Sequence, residues 1–282
     1  GSVTMDLDVP LRKDISIDPS DGDIVVTLRV EGSNANDSNR NTTVTLGYQN
    51  GGPVTTIGSQ TQFIRLFTNN ITTEVFTIPV SSVINIPTGN QLQLTVTNNH
   101  SVNRDINLYS YDEEGDSVRS SVALVPSPVI NVDEISFWTD TMGAGTQVTN
   151  VNPTVATDIY AKVVISDPFG EADIQAPDAA TNPTAIVITD PDTSATNEGI
   201  NTACTAPCYA YDGEDTTNDV AGDATRTFYF IVRLTATPPA TRGTWTVQVT
   251  ANEGLEGDIF HVAEDDFTTS LDANLSTSTK TH

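Results

Sequence analysis

The chain has 282 residues with 12 Lys plus Arg against 37 Asp plus Glu, a formal net charge of −25, and an isoelectric point near 4.1. That excess of negative charge argues against nucleic acid or an anionic membrane surface as a partner, because both bind through cationic side chains. Hydrophobic residues reach 37% and charged residues 17%, so Thr, Asn, Ser, Gly and Pro make up the polar share, a composition suited to strands and turns; no apolar run is long enough to span a bilayer as a helix.

Taken in chain order, the segments alternate with the two-residue period of half-buried strands. Residues 23–30 place Ile24, Val26, Leu28 and Val30 on one side and Asp23, Thr27 and Arg29 on the other. Comparable runs cover 43–48, 62–67, 74–80, 91–97 and 106–111. Turn chemistry separates them, as in Asn50-Gly51-Gly52-Pro53 and Pro87-Thr88-Gly89-Asn90. A seam follows at 122–129, where Pro126 and Pro128 cannot sit inside a central strand. A second series covers 129–139, 158–167, 185–190, 227–236, 244–251 and 258–263. Phe228, Phe230, Val232 and Leu234 share one face, Trp245, Val247 and Val249 another, and the turn-rich 237–243 between them predicts a hairpin. No segment carries the three-and-four spacing of an amphipathic helix.

This pattern predicts an all-β protein of two β-sandwich domains, residues 1–126 and 127–270, followed by an extended Ser/Thr-rich tail at 271–282. The first segment holds 14 carboxylates and 7 basic residues, the remainder 23 and 5, so most of the charge falls in the second half. Carboxylates in such excess suit salty or calcium-containing water, where repulsion is screened, and place the protein outside the cell or on its surface.

Chemistry-bearing residues are sparse. Cys204 and Cys208 have neither a second cysteine pair nor a nearby His to complete a zinc tetrahedron, so a local disulfide pinching one loop is expected in an oxidising compartment. His100 and His261 show none of the spacings of a metal helix or a nucleophile elbow. Calcium takes six to eight oxygen ligands, and clusters of Asp and Glu around Gly supply them: Asp112, Glu114 and Asp116 flank Gly115, while Asp212, Glu214 and Asp215 surround Gly213 and run on to Asp219. The second cluster leads, since the long stretch 193–225 needs an ion or a disulfide to order it. Asp18 to Asp23 and Glu253 to Asp258 are similar, and all four clusters also read as plain turns.

Aromatic residues offer a second possibility. Tyr109 and Tyr111 are two apart in a strand whose other face carries Ile106 and Leu108, and Tyr209 and Tyr211 repeat the spacing. Tyr109, Tyr111 and Trp138 are candidates to stack on sugars if exposed, and packing residues if not.

The stretches Val129-Ile130-Asn131-Val132-Asp133, Tyr160 to Val164 leading into Ser166-Asp167-Pro168-Phe169-Gly170, and Gly243-Thr244-Trp245-Thr246-Val247 running on to Gly254 resemble the immunoglobulin-like β-sandwich modules of large bacterial cell-surface and secreted proteins. Residues 45–48 and 87–98 give the first half a weaker likeness to a jelly-roll domain that precedes such modules. The resemblance implies a modular extracellular protein whose sandwiches serve as spacers, adhesive units or fibre building blocks, without catalysis. Cys204 and Cys208 stand too close in sequence to be an antibody-type inter-sheet pair. The expected function is therefore a non-enzymatic structural or adhesive protein, with a fibre subunit assembled by strand pairing as its specific form. The competing readings are a carbohydrate-binding module and a secreted hydrolase. Self-association or neighbouring surface modules are the expected partners, glycans the alternative.

Overall fold

The computed structural model describes residues 1–7, 9–32, 38–67, 70–100, 105–109, 120–124, 130–140, 145–152, 154, 156–177, 185–189, 191, 196–198, 208–217, 219–234, 240–252 and 260–270. Period-two alternation becomes pleated sheet, antiparallel except where residues 150–151 pair in parallel with 268–269; the helical turns among the described residues are two short 3₁₀ segments, Pro19–Asp21 and Glu171–Asp173. The fold is all-β and of the sandwich class. Contacts divide the chain into two units, Gly1–Ser127 and Pro128–His282.

Unit 1 contains β1 (Ser2–Leu7), β2 (Ile15–Ile17), β3 (Ile24–Gly32), β4 (Ser38–Gln49) and β5 (Thr55–Leu66). It continues with β6 (Thr72–Ile78), β7 (Ile84–Ile86), β8 (Gln91–Asn98), β9 (Ile106–Tyr109) and β10 (Ser121–Ala123). One sheet has the order β1-β8-β4-β5; the other pairs β3 with β6 on one side and with β9 and β10 in succession on the other, and β2 pairs with β7. Ile24, Val26, Leu28 and Val30 of β3 face Val44, Leu46, Leu92, Leu94 and Val96 of the opposite sheet, all buried. Each such side chain contributes about 1.5–3 kcal/mol through removal from water.

The two flanks of this sandwich differ. At the β5/β6 flank Gly58 lets the layers approach: a Cβ there would lie 2.5 Å from the Ile78 side chain. Beside it Gln62 Nε2 donates to the Val75 carbonyl at 3.0 Å, joining strands of different sheets. The opposite flank, between β1 and the β9–β10 pair, holds a groove.

Unit 2 contains β11 (Asn131–Trp138), β12 (Asn150–Val151), β13 (Thr157–Ser166), β14 (Ala185–Thr189) and β15 (Thr196–Glu198). β16 (Cys208–Glu214), β17 (Thr225–Leu234), β18 (Gly243–Asn252) and β19 (Phe260–Thr269) follow. The sheets run β11-β13-β17-β16 and β12-β19-β18-β14-β15. β12, β14, β15, β18 and β19 thus share one layer and β11, β13, β16 and β17 the other, so the chain crosses repeatedly between the two sheets. Phe137, Ile159, Phe228, Phe230, Val247, Val249 and Phe267 fill the core of this unit.

The hairpin expected across 237–243 does not form. β17 pairs with β13 and β16, β18 with β14 and β19, so the connection carries the chain from one sheet to the other. Both strands alternate toward the same core from opposite layers, which period-two patterning cannot distinguish from side-by-side pairing. Residues 196–198 and 208–214, read as part of one long loop, are strands.

Candidate functional site

The leading acidic cluster lies on and after β16. A register shift between Tyr211 and Gly213 bulges the strand at Asp212 and sends Asp212 and Glu214 into different surroundings. Glu214 takes two bonds from Arg226, Oε1 from Nε at 2.6 Å and Oε2 from Nη2 at 2.7 Å. Arg226 Nη1 also donates to the Ile174 carbonyl, and the guanidinium lies 5.1 Å above the Phe228 ring. Its bonds to Glu214 hold the guanidinium more firmly charged than usual, against the opposing effect of burial. Asp215 is buried; its Oδ1 accepts from the Thr217 amide at 3.2 Å and its Oδ2 from the Tyr229 phenol at 3.5 Å. Asp219 Oδ2 accepts from the Thr227 amide at 2.9 Å. Burial pushes the Asp219 carboxyl up, partly offset by the bonds from Thr227, and burial with the Asp215 charge pushes the Tyr229 phenol to about 12.

Three of the four carboxylates of this cluster thus accept hydrogen bonds from the protein itself. Glu214 buttresses β17, Asp215 accepts from an amide of the turn that follows β16, and Asp219 from an amide within β17. Asp212 stands apart. Burial pushes its carboxyl up, Arg233 lowers it and Asp140 raises it. Burial also raises the Tyr160 phenol, and the charges of Asp158, Asp212 and Asp140 add to that effect. Asp158 lies on β13 and Asp140 just past β11, in a sheet where β17 separates β13 from β16. Among the described residues no three His, Cys, Asp or Glu stand in a cluster able to hold a metal ion. Asp112, Glu114 and Asp116 lie outside the described residues, as does Cys204; Cys208 opens β16.

The aromatic candidates separate in the same way. Tyr109 is half-buried, its phenol donating to Glu31 Oε2 at 2.5 Å, and the bond to that carboxylate raises its pKa. Tyr111 lies outside the described residues. Trp138 is half-buried and its indole donates to Ser136 Oγ at 2.9 Å. Tyr211 turns inward, its ring 5.7 Å from Phe230 and 6.3 Å from Phe228. His261 is structural: its Nδ1 accepts from the Val132 amide at 3.0 Å, next to the bulge in β11 and across from the other sheet.

The feature that the strand pattern did not reveal is the open flank of unit 1. After β8 the chain does not turn back along β8 but crosses to pair as β9 with β3. The outer side of β8 is taken instead by β1, some ninety residues earlier, in the register Ser2↔Thr97 to Leu7↔Leu92. Ser2 and Thr97 hydroxyls meet at 3.0 Å, those of Thr4 and Thr95 at 3.1 Å. β9 and β10 form one interrupted strand along β3, spliced by Ser120, whose Oγ accepts from the Arg29 amide at 2.9 Å and donates to the Tyr109 carbonyl at 2.5 Å.

Between β1 and this interrupted strand runs an apolar groove in two adjoining parts. One, of about 180 Å³, is bordered by Val3, Val96, Ile106 and Leu108. The other, of about 90 Å³, is bordered by Met5, Leu7, Leu28, Leu94 and Val122. Met5 and Leu7 are half-buried and Val3 is 52% exposed. No family model matches the chain, and no curated protein matches it.

Proposed function

We propose that this chain is a non-enzymatic structural or adhesive β-sandwich protein of the extracellular space or cell surface, and that it self-associates through its strand edges as the subunit of a fibre or filament. The observation that carries this reading is the edge strand β1. It stands at the margin of its sheet with most of its residues exposed, and an edge strand is a template for pairing with another chain. Native sandwiches usually protect such edges with charge, proline or bulges. β1 carries one charged residue, Asp6, in the run Ser2-Val3-Thr4-Met5-Asp6-Leu7. The carboxylate excess suits the surface of a protein bathed in salt, where screening lets like-charged subunits approach.

Calcium accompanies this reading as a proposal, with Asp212 the exposed carboxylate of the leading acidic cluster. The deciding experiment for self-association is electron microscopy and sedimentation of the full chain beside a variant lacking residues 1–10. The parent is expected to form fibres and the truncated chain to remain as folded monomers. Unchanged fibres in the truncated chain would count against pairing through this edge. A glycan array on the same material addresses the competing carbohydrate reading: binding that is lost in Tyr109→Ala would favour it.

A further inference from the structure

We infer that β1 is an exchangeable strand: in the assembly, residues 2–7 of one copy leave their own sheet and pair along β8 of a second copy, in the register they occupy within a single chain. The inference rests on the self-association reading above and supplies its mechanism. The topology leads to it. β8 and β9 are consecutive in the chain, yet β9 enters the other sheet, so the outer edge of β8 is a slot that nearby sequence does not fill. A strand from far away in sequence fills it, and its connection to the rest of the unit is the stretch 8–14. Because β1 fits this slot, the identical segment of a second copy fits it with the same hydroxyl pairs, the same backbone ladder and the same groove beside Val3, Met5 and Leu7. Exchange of an identical element costs no contacts, so the balance is set by the linker and by concentration.

The linker has a defined hinge. Leu11 is buried and tied on both sides of its peptide plane: its amide donates to the Asn90 carbonyl at 2.8 Å, and the Gly89 amide donates to its carbonyl at 2.8 Å. Asp14 then accepts from the Thr88 amide and hydroxyl, each at 2.7 Å. Leu11 and Asp14 are thereby anchored to the 87–90 turn of their own unit. Between β1 and that anchor stands Pro10, which fixes its own φ and biases the residue before it toward an extended conformation. A stiff extended hinge weakens the advantage of closing β1 onto its own chain, which for short flexible linkers corresponds to an effective concentration in the millimolar range. Passing β1 from each copy to the next is a head-to-tail contact, which yields a fibre where the rotation does not close.

Single cysteines report the exchange. In a full chain carrying Cys204→Ser and Cys208→Ser, Thr4→Cys is made in one preparation and Thr95→Cys in another; the two hydroxyls are 3.1 Å apart, within reach of a disulfide. The two are unfolded, mixed, refolded together, assembled and oxidised, with Thr4→Cys plus Phe63→Cys as the control because Phe63 lies exposed on β5. The expected result is a disulfide-linked dimer of the Thr4→Cys and Thr95→Cys chains in the assembled fraction, with the control remaining monomeric on a non-reducing gel. Placing both cysteines in one chain and oxidising it while dilute should abolish assembly, and reduction should restore it; Ser2→Cys with Thr97→Cys serves if the first pair misfolds. Assemblies that form without the cross-link, or that form from the locked chain, overturn the exchange while leaving self-association through another surface intact. Failure of the unlocked parent to assemble at any concentration overturns both.

Discussion

Phe267 is the aromatic hinge of the second sandwich, and its removal should be felt by both layers. It is fully buried on β19, with its ring 5.1 Å from Phe137 of the opposite sheet and stacked 5.9 Å from Trp245 on the neighbouring strand at an interplanar angle of 15°. Phe267→Ala removes a large side chain from a site enclosed by two strands and a facing sheet, where collapse is restricted, so a loss of about 4 kcal/mol is expected. Phe267→Leu keeps most of the volume and should lose roughly 1–1.5 kcal/mol. The chain has 2 tryptophans, Trp138 and Trp245, both in unit 2, so tryptophan fluorescence during urea unfolding reports this unit. With a urea dependence of about 2 kcal/mol per molar, the midpoint of Phe267→Ala should fall by roughly 2 M. The slope should be unchanged. A loss below about 1 kcal/mol, or equal losses for Ala and Leu, would mean that the ring does not bridge the sheets as described.

Other consequences are equally direct. Arg226→Gln leaves Glu214 without its two-point partner at a half-buried site and should lower the urea midpoint of unit 2 by an amount equivalent to about 2 kcal/mol, a deficit that added salt does little to change. Tyr229 has a folded-state pKa pushed up to about 12 against an ordinary value of 10.0, so its contribution is fully present below pH 10 and is lost as pH rises from 10 to about 12. Two pH units correspond to roughly 2–3 kcal/mol, and Tyr229→Phe should flatten that part of the stability profile measured by urea midpoints. Calcium should raise the thermal midpoint of unit 2 and a chelator lower it, with the effect reduced in Asp212→Asn; coincident melts would dispose of calcium as a ligand there. Pro10→Gly should shift β1 toward its own chain and reduce the assembled fraction seen by sedimentation.

The carboxylates were legible as a group but not in their roles. Glu214, Asp215 and Asp219 follow one another with Gly213 in a pattern that suits an ion, and the same chemistry suits backbone amides and a guanidinium. Nothing local distinguishes the two, because Arg226 and Thr227 reach them only after β17 has paired with β16. β16 itself escaped notice because Asp212 and Gly213 interrupt its alternation, and they do so where the strand bulges.

Alternation by itself determined which side chains go inward. Ile24, Val26, Leu28 and Val30, like Phe228, Phe230, Val232 and Leu234, are all buried as their spacing requires, because a pleated strand sends successive residues to opposite faces whatever lies beside it. It left open which strand lies beside which. Residues 227–236 and 244–251 looked like a hairpin and belong to different layers, while β1 and β8, about ninety residues apart, lie side by side. Pairing depends on backbone hydrogen bonds that every residue can make and on contacts between distant segments, so that choice, and with it the slot along β8, is decided when the two layers close over a shared core.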